Sequence, residues 1–345
     1  MIAKCKIDEN ILILHLNKEY GIQISNIEFI PMGDSAYSYR VNCVNGDLYY
    51  LKLFDHKNDR QREGVERLNN YLPLIWKLHH NGLYKNISYP IKKQSGDFKS
   101  TFNDITLVLF NFIKGKTLAA AYPFSKGILK EVAKEMANIH RITNFLDTTH
   151  ILKETYDIPF ESNLLKCITV LESSLTSDTQ IKQILREQVL SKKEQIIFLL
   201  NLVCELRGLV IKDNKDKVLC HGDIWGGNLI RHKTNLFFID WESTIIAPPE
   251  FDLFGFLGEG FDVFLSSYKK NMGQTVTLNI DLFRYYSYCH HLRNLTNWLM
   301  NILYRNTEET QNENDLEMIL HHCLNRLDSI ESKIIISKEL IERRI

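Results

Sequence analysis

The dipeptide Asn45-Gly46 constrains the fold of the first hundred residues more than any other feature of this sequence. It separates two strand-like runs, residues 37–44 and residues 47–54. Both positions of a two-residue hairpin turn require positive φ, which Asn and Gly tolerate best. The sequence therefore predicts an antiparallel β-hairpin in the N-terminal part of the chain.

A two-residue turn also predicts the register of this hairpin. Tyr39 would face Lys52 and Val41 would face Tyr50. Since side chains alternate between the two faces of a strand, all four would then lie on one face. An ammonium group on a largely apolar face is either a lysine that reaches the sheet edge or a lysine that contacts a ligand.

The pattern of apolar residues changes from strand-like to helix-like near residue 112. Residues 105–113 form a continuous apolar run of strand length. Behind Ser125, a predicted helix N-cap, apolar residues recur at helical spacing. We therefore predict an α+β, bilobal molecule, with a small antiparallel-sheet lobe over residues 1–112 and a larger, mainly helical lobe over residues 113–345.

Composition excludes several classes of protein. The 42 Lys+Arg balance the 42 Asp+Glu, so net charge provides no attraction to nucleic acid or to acidic membranes. Seven widely spaced cysteines without a C-x-x-C pattern are typical of reduced thiols. No apolar run approaches the ~20 residues of a membrane span, and the first twenty residues are too charged for a signal peptide. We expect a cytoplasmic protein that binds neither nucleic acid nor membrane.

The segment LCHGDIWGGNLI, residues 219–230, carries the strongest chemical signal. Its Asp223 and Asn228 lie in a Gly-rich loop between short strand-like runs, so a carboxylate and an amide can converge there. Asp240 ends the apolar run LFFI twelve residues after Asn228. Oxygen atoms of Asn228 and Asp240 suit a hard cation such as Mg²⁺, which leaves Asp223 for a substrate hydroxyl. The alternative for Asp240 alone is an aspartate that caps a strand end.

These motifs resemble those of the aminoglycoside phosphotransferase family, which shares the protein-kinase-like fold with choline kinases and other small-molecule kinases. HGDIWGGN is similar to the catalytic loop of that family, and IDWES is similar to its metal-binding segment. Residues 20–52 and APPEFDL at residues 247–253 are similar to the spectinomycin phosphotransferase-type branch. The resemblance covers roughly residues 20–260 and is weak across 145–215 and 265–345.

The resemblance implies a role for each matching residue of the catalytic segments. Asp223 would be the catalytic carboxylate beside the accepting hydroxyl. Asn228 and Asp240 would bind Mg²⁺, and Lys52 would bind the α- and β-phosphates of the nucleotide. His221 would steady the backbone of the loop rather than act as a general base.

Four further positions follow from the same resemblance. Asp252 would hydrogen-bond the catalytic loop. Glu66, or Glu63 one helical turn earlier, would pair with the phosphate-binding lysine. The segment around Ser35 has a single glycine where kinases have several, and its backbone amides and the Ser35 hydroxyl would hold phosphate.

Aromatic and apolar residues complete the predicted nucleotide site. Val41 and Tyr50 would cover the adenine, and backbone groups around Phe110 and Phe112 would bind its edge.

Trp225 and Trp241 flank the proposed catalytic groups. Each would either stack on the acceptor or pack the loop.

Residues 240–262 contain six acidic residues and no Lys or Arg. With Asp240 and Asp252 assigned to other roles, we predict that Glu242 and Glu259 help to bind a cationic acceptor. A solvated acidic helix face is the alternative.

We therefore predict an O-phosphotransferase that uses ATP or GTP with Mg²⁺. Its acceptor would be a small hydroxylated amine, namely a cationic aminoglycoside or aminocyclitol antibiotic. One alternative is a metabolite kinase for a ketosamine, choline or homoserine-like substrate, because HGDIWGGN also resembles the loop of ketosamine kinases. Another is a catalytically silent binding or coat protein, which would have no need of Lys52, Asp223, Asn228 and Asp240 together.

Overall fold

The computed structural model describes residues 4–31, 36–173, 179–213, 216–273 and 276–342. The chain divides into two compact units. The first comprises Met1–Leu152 and Leu219–Ile246, and the second comprises Lys153–Val218 and Ala247–Ile345. The antiparallel sheet lies in the first unit and the second is mainly helical, which confirms the predicted α+β class. The predicted lobe boundary at residue 112 stays a prediction.

The first unit contains a five-stranded sheet and, later in the chain, a small three-stranded one. Its early elements are α1 (Glu9–Tyr20), β1 (Ile24–Ile30), β2 (Tyr37–Cys43), β3 (Leu48–Asp55), α2 (Asp59–His80), β4 (Lys99–Phe102) and β5 (Ile105–Asn111). Its later elements are β6 (Lys116–Thr117), α3 (Lys126–Ile142), β8 (Leu229–His232) and β9 (Asn235–Phe238). Two short strands, β7 (Val218–Cys220) and β10 (Ile245–Ala247), belong to it except for one residue each, Val218 and Ala247.

The second unit is built from helices of very different lengths. They are α4 (Glu161–Glu172), α5 (Gln180–Ser191), α6 (Lys193–Val210), α7 (Glu250–Leu253), α8 (Phe261–Met272), α9 (Ile280–Met300), α10 (Glu309–Met318) and α11 (Leu327–Glu342). Within the ranges that the structure describes, no helix combines the length and the apolarity needed to cross a bilayer.

Helix α1 covers one face of the five-stranded sheet, whose strand order is β1-β2-β3-β5-β4. Leu12 and Leu16 of α1 are fully buried against strand residues such as Leu51 and Leu109. Asp8 caps the helix by accepting hydrogen bonds from the first-turn amides. The strand-like pattern expected before residue 112 does not include this helix, so that expectation is wrong for residues 9–20.

The hairpin loop between β2 and β3 is one residue longer than predicted. The Cys43 amide donates to the Asp47 carbonyl (2.9 Å), and the Gly46 amide donates to the Cys43 carbonyl (3.0 Å). Three residues therefore form the loop, and Gly46 alone among them has positive φ, at 85°. This is the arrangement of a three-residue hairpin with Gly in the left-handed position.

The longer loop moves Val41 away from its predicted face. Val41 pairs with Tyr49 rather than Tyr50, and its side chain is fully buried in the core beneath α1. The prediction that Val41 covers the adenine beside Lys52 is therefore wrong, since neighbouring positions of a strand face opposite ways. Tyr50 and Lys52 are two residues apart on β3 and do share a face.

Candidate active site

The ammonium group of Lys52 lies between two carboxylates of the segment that follows β9. Its Nζ is 3.0 Å from Oδ1 of Asp240 and 2.7 Å from Oε1 of Glu242. The side chains of Lys52 and Glu242 are each 9% exposed, whereas that of Asp240 is 33% exposed. One buried cation therefore joins the sheet to the end of the predicted metal-binding segment.

The pKa values of this pair are governed by burial and by charge. Burial alone would lower the pKa of Lys52, but the charges of Asp240 and Glu242 raise it well above its ordinary value. Burial alone would raise the pKa of Asp240, but the charge and hydrogen bond of Lys52 hold it below its ordinary value. Lys52 and Asp240 are therefore both ionised at neutral pH.

The backbone at Asp240 explains why two nearby acidic side chains reach one lysine. Asp240 adopts a left-handed conformation (φ 63°, ψ 65°), and a single 3₁₀ turn, Trp241–Ser243, follows it. Aspartate tolerates this conformation better than most residues. With this turn, Glu242 follows Asp240 by two residues and still reaches the same ammonium of Lys52.

Trp241 anchors this turn in the core of the first unit. Its indole N–H donates to the carbonyl of Phe238 (3.0 Å), and its ring meets that of His221 edge-on at 4.8 Å. The side chain is 1% exposed. Of the two predicted roles of Trp241, packing is correct and stacking on the acceptor is wrong.

The predicted catalytic loop is bound to the residue before Asp240. His221 Nε2 donates to the carbonyl of Ile239 (2.9 Å), and the Ile239 amide donates to the carbonyl of Asn228 (3.0 Å). His221 Nδ1 accepts from the amide of Asp223 (3.3 Å). A single tautomer, with hydrogen on Nε2, satisfies both bonds of His221, so this buried imidazole supports the loop backbone.

Asn228 holds Asp223 within the loop. Its Nδ2 donates to the Asp223 carbonyl (2.9 Å) and to the Asp223 carboxylate (2.8 Å). Because the amide nitrogen is used in this way, the oxygen of Asn228 is the atom that a cation can contact. Asn228 is buried and Asp223 is exposed, so the loop presents Asp223 at the surface.

Two glycines of the loop allow close packing against neighbouring backbone. A Cβ at Gly222 (φ 86°) would lie 2.2 Å from the carbonyl oxygen of Ser243, and one at Gly226 would lie 2.5 Å from that of Leu118. The Asp223 loop and the Glu242 turn are thus in direct backbone contact at a position where only glycine fits.

Tyr122 is a residue of this site that sequence reasoning missed. Its hydroxyl accepts a hydrogen bond from the amide of Gly226 (2.8 Å), and its ring, with Tyr122 53% exposed, stacks on Phe124 at 4.2 Å. Trp225 is 48% exposed, and its indole covers Gly227. The only signal in the sequence is a pair of aromatic residues in a connecting segment, which does not reveal a contact with a loop a hundred residues away.

The predicted partner of Lys52 on helix α2 is wrong. Glu66 and Glu63 are both exposed, whereas the buried face of α2 carries Gln61, Gly64, Leu68 and Tyr71 among other uncharged residues. The carboxylates that pair with Lys52 come instead from the segment after β9. For the same reason Glu242 cannot serve as the predicted acceptor contact while it pairs with Lys52.

The other predicted nucleotide contacts are placed as follows. Phe110 is buried in β5 opposite Tyr50, which puts it on the Lys52 face of the sheet. Phe112 follows β5 and lies under the guanidinium of Arg40 at 5.5 Å. Ser35 lies outside the described residues. The roles of Phe110, Phe112 and Ser35 stay predictions.

Two predicted residues belong to the second unit. Asp252 is buried in α7, and Glu259 is exposed just before α8. Their predicted roles toward the loop and the acceptor also stay predictions.

The fold and this arrangement of residues define a small-molecule kinase with the protein-kinase-like fold. Residues 100–324 match the family model for choline/ethanolamine kinase. This match covers well over half of the chain, which therefore belongs to the choline/ethanolamine kinase family.

Solved structures show the same fold. Spectinomycin phosphotransferase APH(9)-Ia, in complex with ADP and spectinomycin, superposes with a TM-score of 0.73 at 19% identity and covers 95% of this chain and 100% of its own. Amicoumacin kinase hAmiN, in complex with AMP-PNP, Ca²⁺ and Ami, has a TM-score of 0.64 at 15% identity and covers 95% of this chain and 94% of its own. Choline kinase from Cryptosporidium parvum Iowa II has a TM-score of 0.55 at 15% identity and covers 96% of this chain and 97% of its own.

These likenesses confirm the predicted resemblance to aminoglycoside phosphotransferases and the predicted kinase-like fold. At such low identity they concern the fold alone. A search of curated protein sequences gives no match to this chain.

Proposed function

We propose that this kinase transfers the γ-phosphoryl group of ATP, or of GTP as the alternative donor, to a hydroxyl of a small aminated molecule. The proposed acceptor is an aminoglycoside or aminocyclitol antibiotic. One observation carries the proposal: Ile239 ties the loop of Asp223 and Asn228 to Asp240, which in turn binds Lys52. The four residues that phosphoryl transfer requires are thereby linked in one unit.

The residues fit a magnesium ion. Asp240 Oδ1 already holds a cation, the Lys52 ammonium at 3.0 Å, and the oxygen of Asn228 is available beside the same strand end. Such an all-oxygen donor set matches the preference of Mg²⁺. When bound, Mg²⁺ supplies positive charge that stabilises the transferring phosphoryl group.

Each side chain then has a defined task. Lys52 binds phosphate oxygens of the nucleotide. Asp223 orients the acceptor hydroxyl and accepts its proton as the new P–O bond forms. The bond between the γ-phosphorus and the bridging β-phosphate oxygen breaks at the same time, and the nucleoside diphosphate leaves. Asn228 fixes the Asp223 carboxylate through its 2.8 Å hydrogen bond, and His221 keeps the loop attached to Ile239.

Two lines of support favour an aminated acceptor. The family model and the similar structures are described as choline, ethanolamine and spectinomycin kinases, whose named substrates carry a hydroxyl together with an amine or a quaternary ammonium group. In this chain the exposed rings of Tyr122 and Trp225 lie at the catalytic loop. Aromatic faces bind ammonium groups and the apolar faces of saturated rings.

A coupled assay of nucleotide consumption tests the proposal. The purified protein is incubated with ATP or GTP, Mg²⁺ and a panel of aminoglycosides, spectinomycin, ketosamines, choline, ethanolamine and homoserine, with Asp223→Asn as the matched blank. We expect turnover above the blank with an aminoglycoside or aminocyclitol. A best acceptor among choline, ethanolamine, ketosamines or homoserine would establish the alternative, a metabolite kinase; choline and ethanolamine are the substrates that the family description names. No turnover with any acceptor would contradict both.

A further inference from the structure

We infer that Glu242 is the residue that positions Lys52 for the nucleotide, in place of a glutamate from helix α2. Asp240 is then the partner that Lys52 gives up when nucleotide and metal bind. Glu242 is a positioning residue, because it acts through Lys52. The inference rests on the proposed function, in which Lys52 contacts phosphate and Asp240 contacts the metal.

The two carboxylates differ in their surroundings. Glu242 is the nearer partner of Lys52, at 2.7 Å against 3.0 Å for Asp240, and its side chain is only 9% exposed. The Asp240 side chain is 33% exposed. The lysine is therefore held from its enclosed side by Glu242, while Asp240 presents oxygen to the side from which solvent and ligands arrive.

The two ion pairs of Lys52, with Asp240 and with Glu242, have different roles once a metal ion binds. A divalent cation on Asp240 would repel the Lys52 ammonium, which lies 3.0 Å from the same carboxylate. This repulsion weakens the Lys52–Asp240 ion pair and favours transfer of the ammonium to the nucleotide phosphates. A buried ammonium without a carboxylate partner is strongly destabilised. Glu242 supplies the partner that remains, and the nucleotide phosphates replace Asp240.

The turn that carries Glu242 is well fixed. Beside the indole bond of Trp241 to Phe238, the Thr244 hydroxyl donates to the Trp241 carbonyl (2.7 Å). Ser243 packs against Gly222 so closely that no side chain would fit between them. Helix α2 offers no such support to an acidic group, because all three of its acidic residues in the described structure, Asp59, Glu63 and Glu66, are exposed.

Calorimetric titration with AMP-PNP and Mg²⁺ tests this inference. We expect Glu242→Gln to weaken nucleotide binding at least about tenfold, while the matched control Glu66→Gln stays within about twofold of wild type. Because Lys52 retains Asp240, the Glu242→Gln variant keeps a partner for its buried ammonium and should fold. Glu242→Asp, which shortens the side chain by one methylene, should also weaken binding, and the thermal melting temperature of each variant checks its folding.

A double-mutant cycle separates positioning from other roles. If Glu242 acts through Lys52, the variant Lys52→Met/Glu242→Gln should bind AMP-PNP no more weakly than Lys52→Met alone. Additive losses would overturn the inference. Wild type that binds no nucleotide would contradict the proposed function itself, whereas wild type and Glu242→Gln that bind equally well would overturn only the role of Glu242.

Metal binding without nucleotide gives a second readout. Since Lys52 occupies Asp240, Mn²⁺ alone should bind wild type weakly, and Lys52→Met should bind it at least about tenfold more tightly. The double variant should retain this gain, because Glu242 is not needed for the metal. Loss of the gain would identify Glu242 as a metal ligand and overturn its assignment as a positioning residue.

Discussion

Asn228 donates two hydrogen bonds to Asp223, one to its backbone carbonyl and one to its carboxylate, at 2.9 and 2.8 Å. The amide group proposed to contact the metal thus also fixes the carboxylate proposed to orient the acceptor. Any change at Asn228 should therefore affect chemistry as well as metal binding, whereas a change at Asp223 can affect chemistry alone.

Replacing Asp223 should separate turnover from nucleotide binding. We expect Asp223→Ala to lower kcat by about 10²–10⁴-fold, because the acceptor hydroxyl loses its orienting group and proton acceptor. The affinity for AMP-PNP should stay nearly unchanged, since the exposed carboxylate does not contact Lys52. Steady-state kinetics and calorimetry measure the two quantities. Retention of more than about a tenth of wild-type kcat with normal nucleotide binding would show that the assignment is wrong.

Asp240→Ala should remove the metal dependence of nucleotide binding more severely than Asn228→Ala. A carboxylate brings charge and oxygen to a hard cation, whereas an amide brings only a dipole. Titration of AMP-PNP with and without Mg²⁺ gives the ratio of affinities for each variant. An Asp240→Ala protein with the same ratio as wild type would rule out Asp240 as the metal ligand.

Gly222→Ala should destabilise the first unit and lower activity together. The left-handed backbone costs an alanine about 1–2 kcal/mol, and the new Cβ would meet the Ser243 carbonyl oxygen at 2.2 Å, which adds about 1–3 kcal/mol of overpacking. Gly46→Ala is the matched control, because Gly46 has nearly the same φ (85° against 86°) and no atom within 4 Å of its Cβ. Urea denaturation should show a larger loss for Gly222→Ala, and equal losses would mean that the contact with Ser243 is unimportant.

The catalytic loop could be predicted because its geometry is local. Asp223 and Asn228 are five residues apart in one loop, and their side chains meet through that loop alone. The hairpin register could not be predicted from the turn alone, because Asn45-Gly46 is compatible with both a two-residue and a three-residue loop. The choice between them decides on which face Val41 lies.

The carboxylate partner of Lys52 shows why the rest of the site was missed. Whether Glu66 faces the sheet or solvent depends on how α2 packs, which its own sequence does not specify. Whether Glu242 faces Lys52 depends on the left-handed backbone of Asp240, which precedes the buried Trp241. Contacts between segments nearly two hundred residues apart settle both questions.

The second unit should lose stability in mild acid through His291. Burial, followed by repulsion from Arg326, lowers the pKa of His291 from 6.5 to about 4, and its Nε2 has no hydrogen-bond partner within the described residues. His291 therefore binds a proton below pH ~6.5 in the unfolded chain, but only below about pH 4 in the folded chain. The free energy of unfolding should therefore fall as pH falls through this window, by at most about 3 kcal/mol from this group.

Urea denaturation at pH 7.5 and pH 5.0 measures this effect. We expect His291→Leu to lose less stability between the two pH values than wild type does, because the titrating group is gone. The exposed His321 provides the control, and His321→Leu should lose as much as wild type. An unchanged loss in His291→Leu would show that His291 does not carry the acid sensitivity.

Substitutions at Trp225 and Glu259 should affect the acceptor and not the nucleotide. Trp225→Leu removes an exposed ring next to the catalytic loop, and a ring face contributes about 0.5–2 kcal/mol to binding an ammonium group, so the acceptor KM should rise between about twofold and thirtyfold. Glu259→Lys replaces an attraction with a repulsion and should raise the same KM. In both variants the ATP KM should stay unchanged, because both changes are proposed to act on the acceptor alone. Phe145→Leu and Glu66→Lys are the matched controls, as each makes the same kind of change at another exposed position.

Because steering by an exposed charge weakens as salt increases, the effect of Glu259→Lys should shrink at high ionic strength while that of Trp225→Leu persists. Wild-type acceptor kinetics in both variants, or a neutral sugar as the best acceptor, would show that the acceptor is not bound as a cation.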